Sequence, residues 1–308
     1  LSGELTGDRK ARLLSGPDGR MRWGWRLLLF VSLVFAIAAV FGGLTIWLVG
    51  PPPDESGTLF RGLLIGLLAS LAASWVMMSA VESRSLAALG LVPADFIVDS
   101  VRGVLAGGLL VAGALCLLAI TGALRWEFVP VAPAVWLVSM SKMALILGLA
   151  AFLEEVLFRG YALQLTGEAL GPVLAIGLGA VMFSAAHSAN PGVGSLAFLN
   201  TALAGILLGI VYWKTFSIWL VTGVHLGWNG AMSQAADLPV SGLVLGSPAL
   251  RATVTGPEIW TGGSYGPEGG LALTAVTLAG IAWAVRTPRL RRAPSVLALH
   301  PLPGTRIT

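Results

Sequence analysis

Ala151-Phe-Leu-Glu-Glu-Val-Leu-Phe-Arg-Gly160 places two adjacent carboxylates and an arginine inside a long apolar run, residues 134–165. Each ionisable group at membrane depth costs about 2.5–3.5 kcal/mol on insertion scales, so a span that keeps three of them keeps them for a purpose. The rest of the chain has the same character. Its 308 residues are 56% hydrophobic and 11% charged, whereas about a quarter of an ordinary soluble domain is charged. The fold class expected is therefore all-α, a polytopic bundle of membrane-spanning helices.

A helix needs about 20 mostly apolar residues to cross the hydrocarbon. Runs of that kind fall at 27–49, 59–81, 103–122, 134–165, 171–188, 195–213, 216–235 and 270–286, which predicts eight crossings. Basic residues gather at the two ends: Arg9, Lys10, Arg12, Arg20, Arg22 and Arg26 before the first run, and Arg286, Arg289, Arg291 and Arg292 after the last. This pattern reads as membrane orientation and not as nucleic-acid binding, and it puts both termini in the cytoplasm, which requires an even number of crossings. The first run is longer than a signal-peptide core and is expected to be a retained helix.

The acidic, turn-rich Pro51–Gly57 connection falls outside and the Arg84 to Arg102 connection inside, so charge alternation agrees with the count. Residues 86–100 are expected to form a short interfacial segment. Residues 236–269, dense in Gly and Pro, are expected to form an irregular outer loop. Small residues in 195–213 would permit close helix packing. The domain division is a basic cytoplasmic segment (1–26), a membrane domain (27–286) with its catalytic half at about 134–235, and a cytoplasmic tail (287–308). Cys116 has no partner cysteine, which excludes a disulfide framework or a thiolate cluster.

Glu155 and Arg159 are four residues apart in the favourable order, and so pair on one helix face. Glu154 is turned from Glu155 by about 100° and has no partner in its own helix, which suits it to act as a general base. Phe183 and His187 share a face of the fifth segment, and His225 and Asn229 share one of the seventh. Of three histidines, only His300 lies outside an apolar segment. Amide hydrolysis needs a water, a base and oxyanion donors. Glu154 and His187 can activate the water, and His225 and Asn229 can hold the oxyanion, with Glu155, Arg159 and Phe183 in support. Ser184 beside His187 is a competing nucleophile. Zinc is an alternative, with Glu154, His187 and His225 as its ligands, but the His-Glu-x-x-His helix of metalloproteases is absent and the reading prefers no cofactor.

Glu-Glu-x-x-x-Arg at 154–159, Phe-x-x-x-His at 183–187 and His-x-x-x-Asn at 225–229, in that order, resemble the motifs of the CAAX protease and bacteriocin-processing family of intramembrane endopeptidases, also called the Abi family. The stretch Gly262-Gly-Ser-Tyr-Gly-Pro-Glu268 resembles the tail of bacterial members. The resemblance implies about eight helices around a conical cavity, proteolysis at the cytoplasmic side of a cell membrane, and the same assignment of Glu154, His187, His225 and Asn229. It also implies a peptide or membrane-anchored protein as substrate, prenylated in eukaryotic relatives, with membrane lipids as surroundings. Two other functions compete: a transporter or proton relay, against which the lack of paired repeats and broken helices argues, and a non-catalytic immunity or scaffold protein. By length alone, Glu154 lies roughly 18 Å and His187 roughly 24 Å from the cytoplasmic ends of their segments, and His225 roughly 14 Å. That spread of about 10 Å must be absorbed by tilt, or by a fifth segment that starts lower.

Overall fold

The computed structural model describes residues 14–16, 19–299, 301 and 302. Arg9, Lys10, Arg12 and His300 lie outside the described residues, as does most of the proposed 1–26 segment. Among the described residues the regular structure is helical apart from one two-stranded ribbon. In order, the elements are α1 (Trp23–Val49), α2 (Glu55–Val76, continued by a π turn, Met77–Val81), α3 (Phe96–Ile120), β1 (Leu124–Phe128), α4 (Pro133–Arg159), α5 (Tyr161–Leu170), α6 (Pro172–Ala186), α7 (Ser195–Thr215), α8 (Ile218–Ser233), β2 (Leu250–Val254), α9 (Glu258–Thr261), α10 (Leu271–Arg286) and α11 (Pro294–Leu297).

Among the described residues, five helical stretches are long and apolar enough to cross a membrane: Trp23–Val49, Glu55–Val81, Pro93–Ile120, Pro133–Leu170 and Ser195–Thr215. Large apolar side chains such as Phe35, Trp47, Leu109 and Ile120 stand exposed along them, as lipid-facing residues do. This is an integral membrane protein. The expected spans at 171–188, 216–235 and 270–286 are shorter helices of 15, 16 and 16 residues. At 1.5 Å per residue each reaches only about 22–24 Å, short of a 30 Å hydrocarbon core. Short helices and broken backbone are tolerated at this depth where protein surrounds them.

The run at 134–165 is not one helix. It breaks at Gly160, whose N–H bonds back to the Glu155 carbonyl at 3.1 Å, and resumes as α5 to Leu170. The expectation of unbroken spans is corrected there. The loop at 236–269 is also more ordered than expected. It contains β2, which pairs antiparallel with β1 in the register Leu124↔Val254, Trp126↔Ala252 and Phe128↔Leu250, followed by α9 and two 3₁₀ turns. The interfacial segment consists of 3₁₀ turns at Leu86–Leu89 and Pro93–Asp95. Its carbonyls at Ala88, Leu89 and Gly90 accept bonds from Gln164, Tyr212 and the Ile218 N–H.

The tightest helix contact places α8. Gly103 and Gly107 of α3 face Gly223, Val224 and Gly227 of α8 so closely that a Cβ on any of the four glycines would meet the opposing backbone. Both helices carry Gly-x-x-x-Gly, at 103–107 and 223–227, the spacing that lets membrane helices approach through their backbones. His225 is two residues from each glycine of α8, so it lies about 160° around the helix and points into the bundle. Small residues also bring α6 and α7 together, with Gly205 against Ala180 and Gly209 against Ile176. On the far side, α10 ends with its Ala284, Val285 and Thr287 carbonyls bonded by Lys214 Nζ. The C-terminal segment then folds back, burying Val296 and Leu302 against the core.

Candidate active site

Glu155 is fully buried, and its Oε1 accepts from Arg159 Nη1 at 3.1 Å and from His225 Nδ1 at 2.8 Å. The expected Glu155–Arg159 pair is therefore present but extends to a third group, which ties α4 to α8. Arg159 also reaches the Gly205 carbonyl at 3.4 Å, and its guanidinium lies 4.3 Å from the centre of the Phe183 ring. Phe183 in turn packs on both imidazoles, at 4.7 Å from His187 and 6.0 Å from His225. One aromatic ring thus touches the arginine and both histidines.

Glu154 points elsewhere. Its Oε2 is buried, bonds no protein group, and lies 3.8 Å from His187 Nε2 and 3.9 Å from His225 Nε2. These separations are just beyond a direct hydrogen bond and within the reach of one bridging water. His187 is the first residue past the C-terminus of α6, and its Nδ1 bonds the Phe183 carbonyl at 2.8 Å. That carbonyl can only accept, so Nδ1 donates to it and Nε2 is the nitrogen turned towards Glu154. The contact that ends the helix also orients the ring.

The expected mismatch in depth disappears once the helix boundary is corrected. The turn between the two antiparallel arms lies at Gly171 and not at 165, so Glu154 stands seventeen residues before it and His187 sixteen after. The two side chains meet, Glu154 Oε2 lying 3.8 Å from His187 Nε2.

Asn229 lies one turn beyond His225, and both line a small pocket of about 30 Å³ together with His187, Thr201, Ser241 and Glu268. One water needs roughly 10–15 Å³. A second cavity of about 880 Å³, mostly apolar, reaches the same groups and extends between α1, α4, α5 and α6. A carboxylate and an imidazole spaced for one bridging water, beside a carboxamide and a second imidazole, have the groups to take up a proton and bind an oxyanion. Ser184, the competing nucleophile, donates to the Phe198 carbonyl at 2.6 Å and not to His187. Glu154, His187 and His225 form the expected alternative zinc set. Among the described residues, however, no group of three or more His, Cys, Asp or Glu side chains is arranged to hold a metal ion.

Glu268, Ser241, Thr201 and Trp228 also border the pocket, and sequence reading assigned none of them to it. Only Glu268 left a signal, as the charged end of the Gly-rich stretch at 262–268.

Fold and site together define a helical membrane protein with two glutamates, two histidines, an arginine and an asparagine gathered in its interior. Residues 136–231 match the family model described as Rce1-like, type II CAAX prenyl endopeptidase Rce1-like. The match runs from α4 through α8 and includes Glu154, Glu155, Arg159, Phe183, His187, His225 and Asn229. At the family level the chain is similar to CAAX-protease-like intramembrane endopeptidases, as its motifs led us to expect. No curated protein and no solved structure matches the chain.

Proposed function

We propose that this chain is an intramembrane endopeptidase whose Glu154 and His187 activate water and whose His225 and Asn229 hold the oxyanion. The observation that carries the reading is the approach of both Nε2 atoms to one buried, unbonded carboxylate oxygen, at 3.8 and 3.9 Å. A water between Glu154 Oε2 and His187 Nε2 donates one hydrogen to each and turns its lone pair to the substrate carbonyl carbon. As the new C–O bond forms, Glu154 takes the proton. The carbonyl oxygen becomes negative and is met by Asn229 Nδ2–H and His225 Nε2–H. Because His225 already donates Nδ1–H to Glu155, its Nε2 donates only when the ring carries both protons. Collapse of the intermediate breaks the C–N bond, and Glu154 returns its proton to the leaving amine.

The family match and the apolar cavity support a membrane-anchored protein, prenylated or otherwise lipidated, as substrate, with its apolar chain between α1 and α6 and its peptide at Glu154. The enzyme uses no cofactor. It sits in the cell membrane with both termini in the cytoplasm.

The test is cleavage of a farnesylated, internally quenched CAAX peptide by protein reconstituted in liposomes. Glu154→Gln and His187→Ala should each lower kcat by about 10²–10⁴-fold while the protein inserts normally. Chelation by 1,10-phenanthroline should leave the rate unchanged. Loss of cleavage restored by added zinc would overturn the metal-free mechanism. Proton flux in the same liposomes that vanishes with Glu154→Gln, without cleavage, would favour a proton relay instead.

A further inference from the structure

Glu268 lies 39 residues beyond Asn229 and outside the stretch matched to the family, yet it lines the same small pocket as His187, His225 and Asn229. It sits on the 3₁₀ turn Pro267–Gly269 and is 8% exposed. All its side-chain partners are neutral donors. Oε1 accepts from Trp228 Nε1 at 2.9 Å, and Oε2 accepts from the backbone N–H and the Oγ of Ser241. Its own carbonyl accepts from Asn200 Nδ2 at 2.8 Å, which fixes the turn to α7. Burying a carboxylate without a counter-cation is costly, so these convergent donors are its compensation.

The consequence falls on α8. The back of that helix is the smooth Gly223/Gly227 face pressed against α3, and near its start Trp219 donates Nε1 to the Val92 carbonyl and packs on Phe152. Two polar pins hold the front: Glu155 on His225, and Glu268 on Trp228 three residues later. Trp228 precedes Asn229 directly, so the position of the indole decides where the Asn229 carboxamide points. Ser241, held by the other oxygen of Glu268, forms part of the wall of both cavities.

We propose that Glu268 is a positioning residue for the hydrolysis, pinning Trp228 and Ser241 so that Asn229 and His225 stay turned towards the reacting carbonyl. The inference rests on the proposed peptidase reading and adds a group from outside its motifs. Misplacing a catalytic group by about 1 Å can cost about 100-fold in rate.

Kinetics on the farnesylated quenched peptide in liposomes should show Glu268→Ala lowering kcat by about 10- to 100-fold with KM within about twofold. Glu268→Gln keeps one acceptor oxygen for the indole and should lose less. Trp228→Phe should resemble Glu268→Ala, and the double variant should be no slower than either single one, because both remove the same pin. Should Glu268→Ala fail to fold, the near-isosteric Glu268→Gln carries the comparison. Independently of activity, the indole ¹⁵N–¹H resonance of Trp228, identified by its absence in Trp228→Phe, and the side-chain amide of Asn229 should both shift in Glu268→Gln. Unmoved resonances, a kcat within twofold of wild type for Glu268→Ala, or single losses that multiply in the double variant would each overturn the proposal. Shifted resonances in a wild-type protein that cleaves nothing would sustain the pin and refute the peptidase reading.

Discussion

Adjacent carboxylates at 154 and 155 meet different surroundings because successive helix residues point about 100° apart. Glu155 has no exposed surface and accepts from two groups at once, Arg159 and His225, whereas the Glu154 side chain is 27% exposed towards the cavity. Their substitutions should therefore separate stability from activity. Glu155→Ala strands a buried arginine and is expected to cost about 3–5 kcal/mol in unfolding by mild-to-denaturing detergent mixtures. Glu154→Gln should stay within about 1 kcal/mol of wild type in the same measurement while abolishing cleavage. Equal destabilisation by the two would contradict this division. The sequence disclosed half of it: the four-residue spacing of Glu155 and Arg159 identifies the pair. The bond from His225 was hidden, because it comes from seventy residues away and depends on which face α8 presents. For the same reason Glu268 and Ser241 were not assigned to the site.

At the scale of elements, hydropathy located every helix that carries a site residue but misjudged their lengths. It reads α8 as a crossing like the others, because burial in protein and burial in lipid select the same apolar composition. What distinguishes α8 is its pair of glycines against those of α3, and both Gly-x-x-x-Gly patterns are written in the chain; what the chain does not state is that they pair with each other. The β1–β2 ribbon was missed because two five-residue strands separated by more than a hundred residues carry little periodicity of their own. The glycine contact carries its own prediction. At Gly227 a Cβ would meet the Val104 backbone, and at Gly107 that of Val224, so neither neighbour can yield by a rotamer change. Gly227→Val is expected to cost at least about 1–3 kcal/mol through overpacking and to displace His225 from Glu154, lowering both the unfolding midpoint and the rate. A valine at Gly230, which has open space around it, is the control and should change neither.

For the molecule as a whole, the question is whether eight passes alternate across the membrane although three of the helices are short. The long-range contacts bear on this through parity, since connections after odd-numbered passes must all meet on one side and those after even-numbered passes on the other. β1 follows the third helical pass and pairs with β2, which follows the seventh. Asn190, after the fifth pass, bonds the Ser241 carbonyl after the seventh, and Trp126 bonds the Ala236 carbonyl. On the even side, Arg26 at the start of α1 bonds Glu82 at the end of the second pass and Glu168 at the end of the fourth. Ser295, after the last pass, bonds Asp95 after the second, and the Leu302 N–H bonds Gln164 near the end of the fourth. Every one of these contacts joins odd to odd or even to even, which is the arrangement that alternation demands. Arg20, Arg22, Arg26, Arg84, Arg102, Lys214, Arg286, Arg289, Arg291 and Arg292 lie on the even side, against Arg61, Arg125 and Arg251 on the odd, so the even side should face the cytoplasm. With Cys116 replaced by Ala, single cysteines at the exposed positions Ser56 and Thr255 should react with a membrane-impermeant maleimide on intact cells, and one at Ser295 only after permeabilisation. Reaction of Ser56→Cys and Thr255→Cys from opposite sides would break the alternation. Reaction of all three in the reverse sense would keep the alternation and invert the orientation. In that case Ser241 and Glu268, the odd-side wall of the small pocket, would face the cytoplasm.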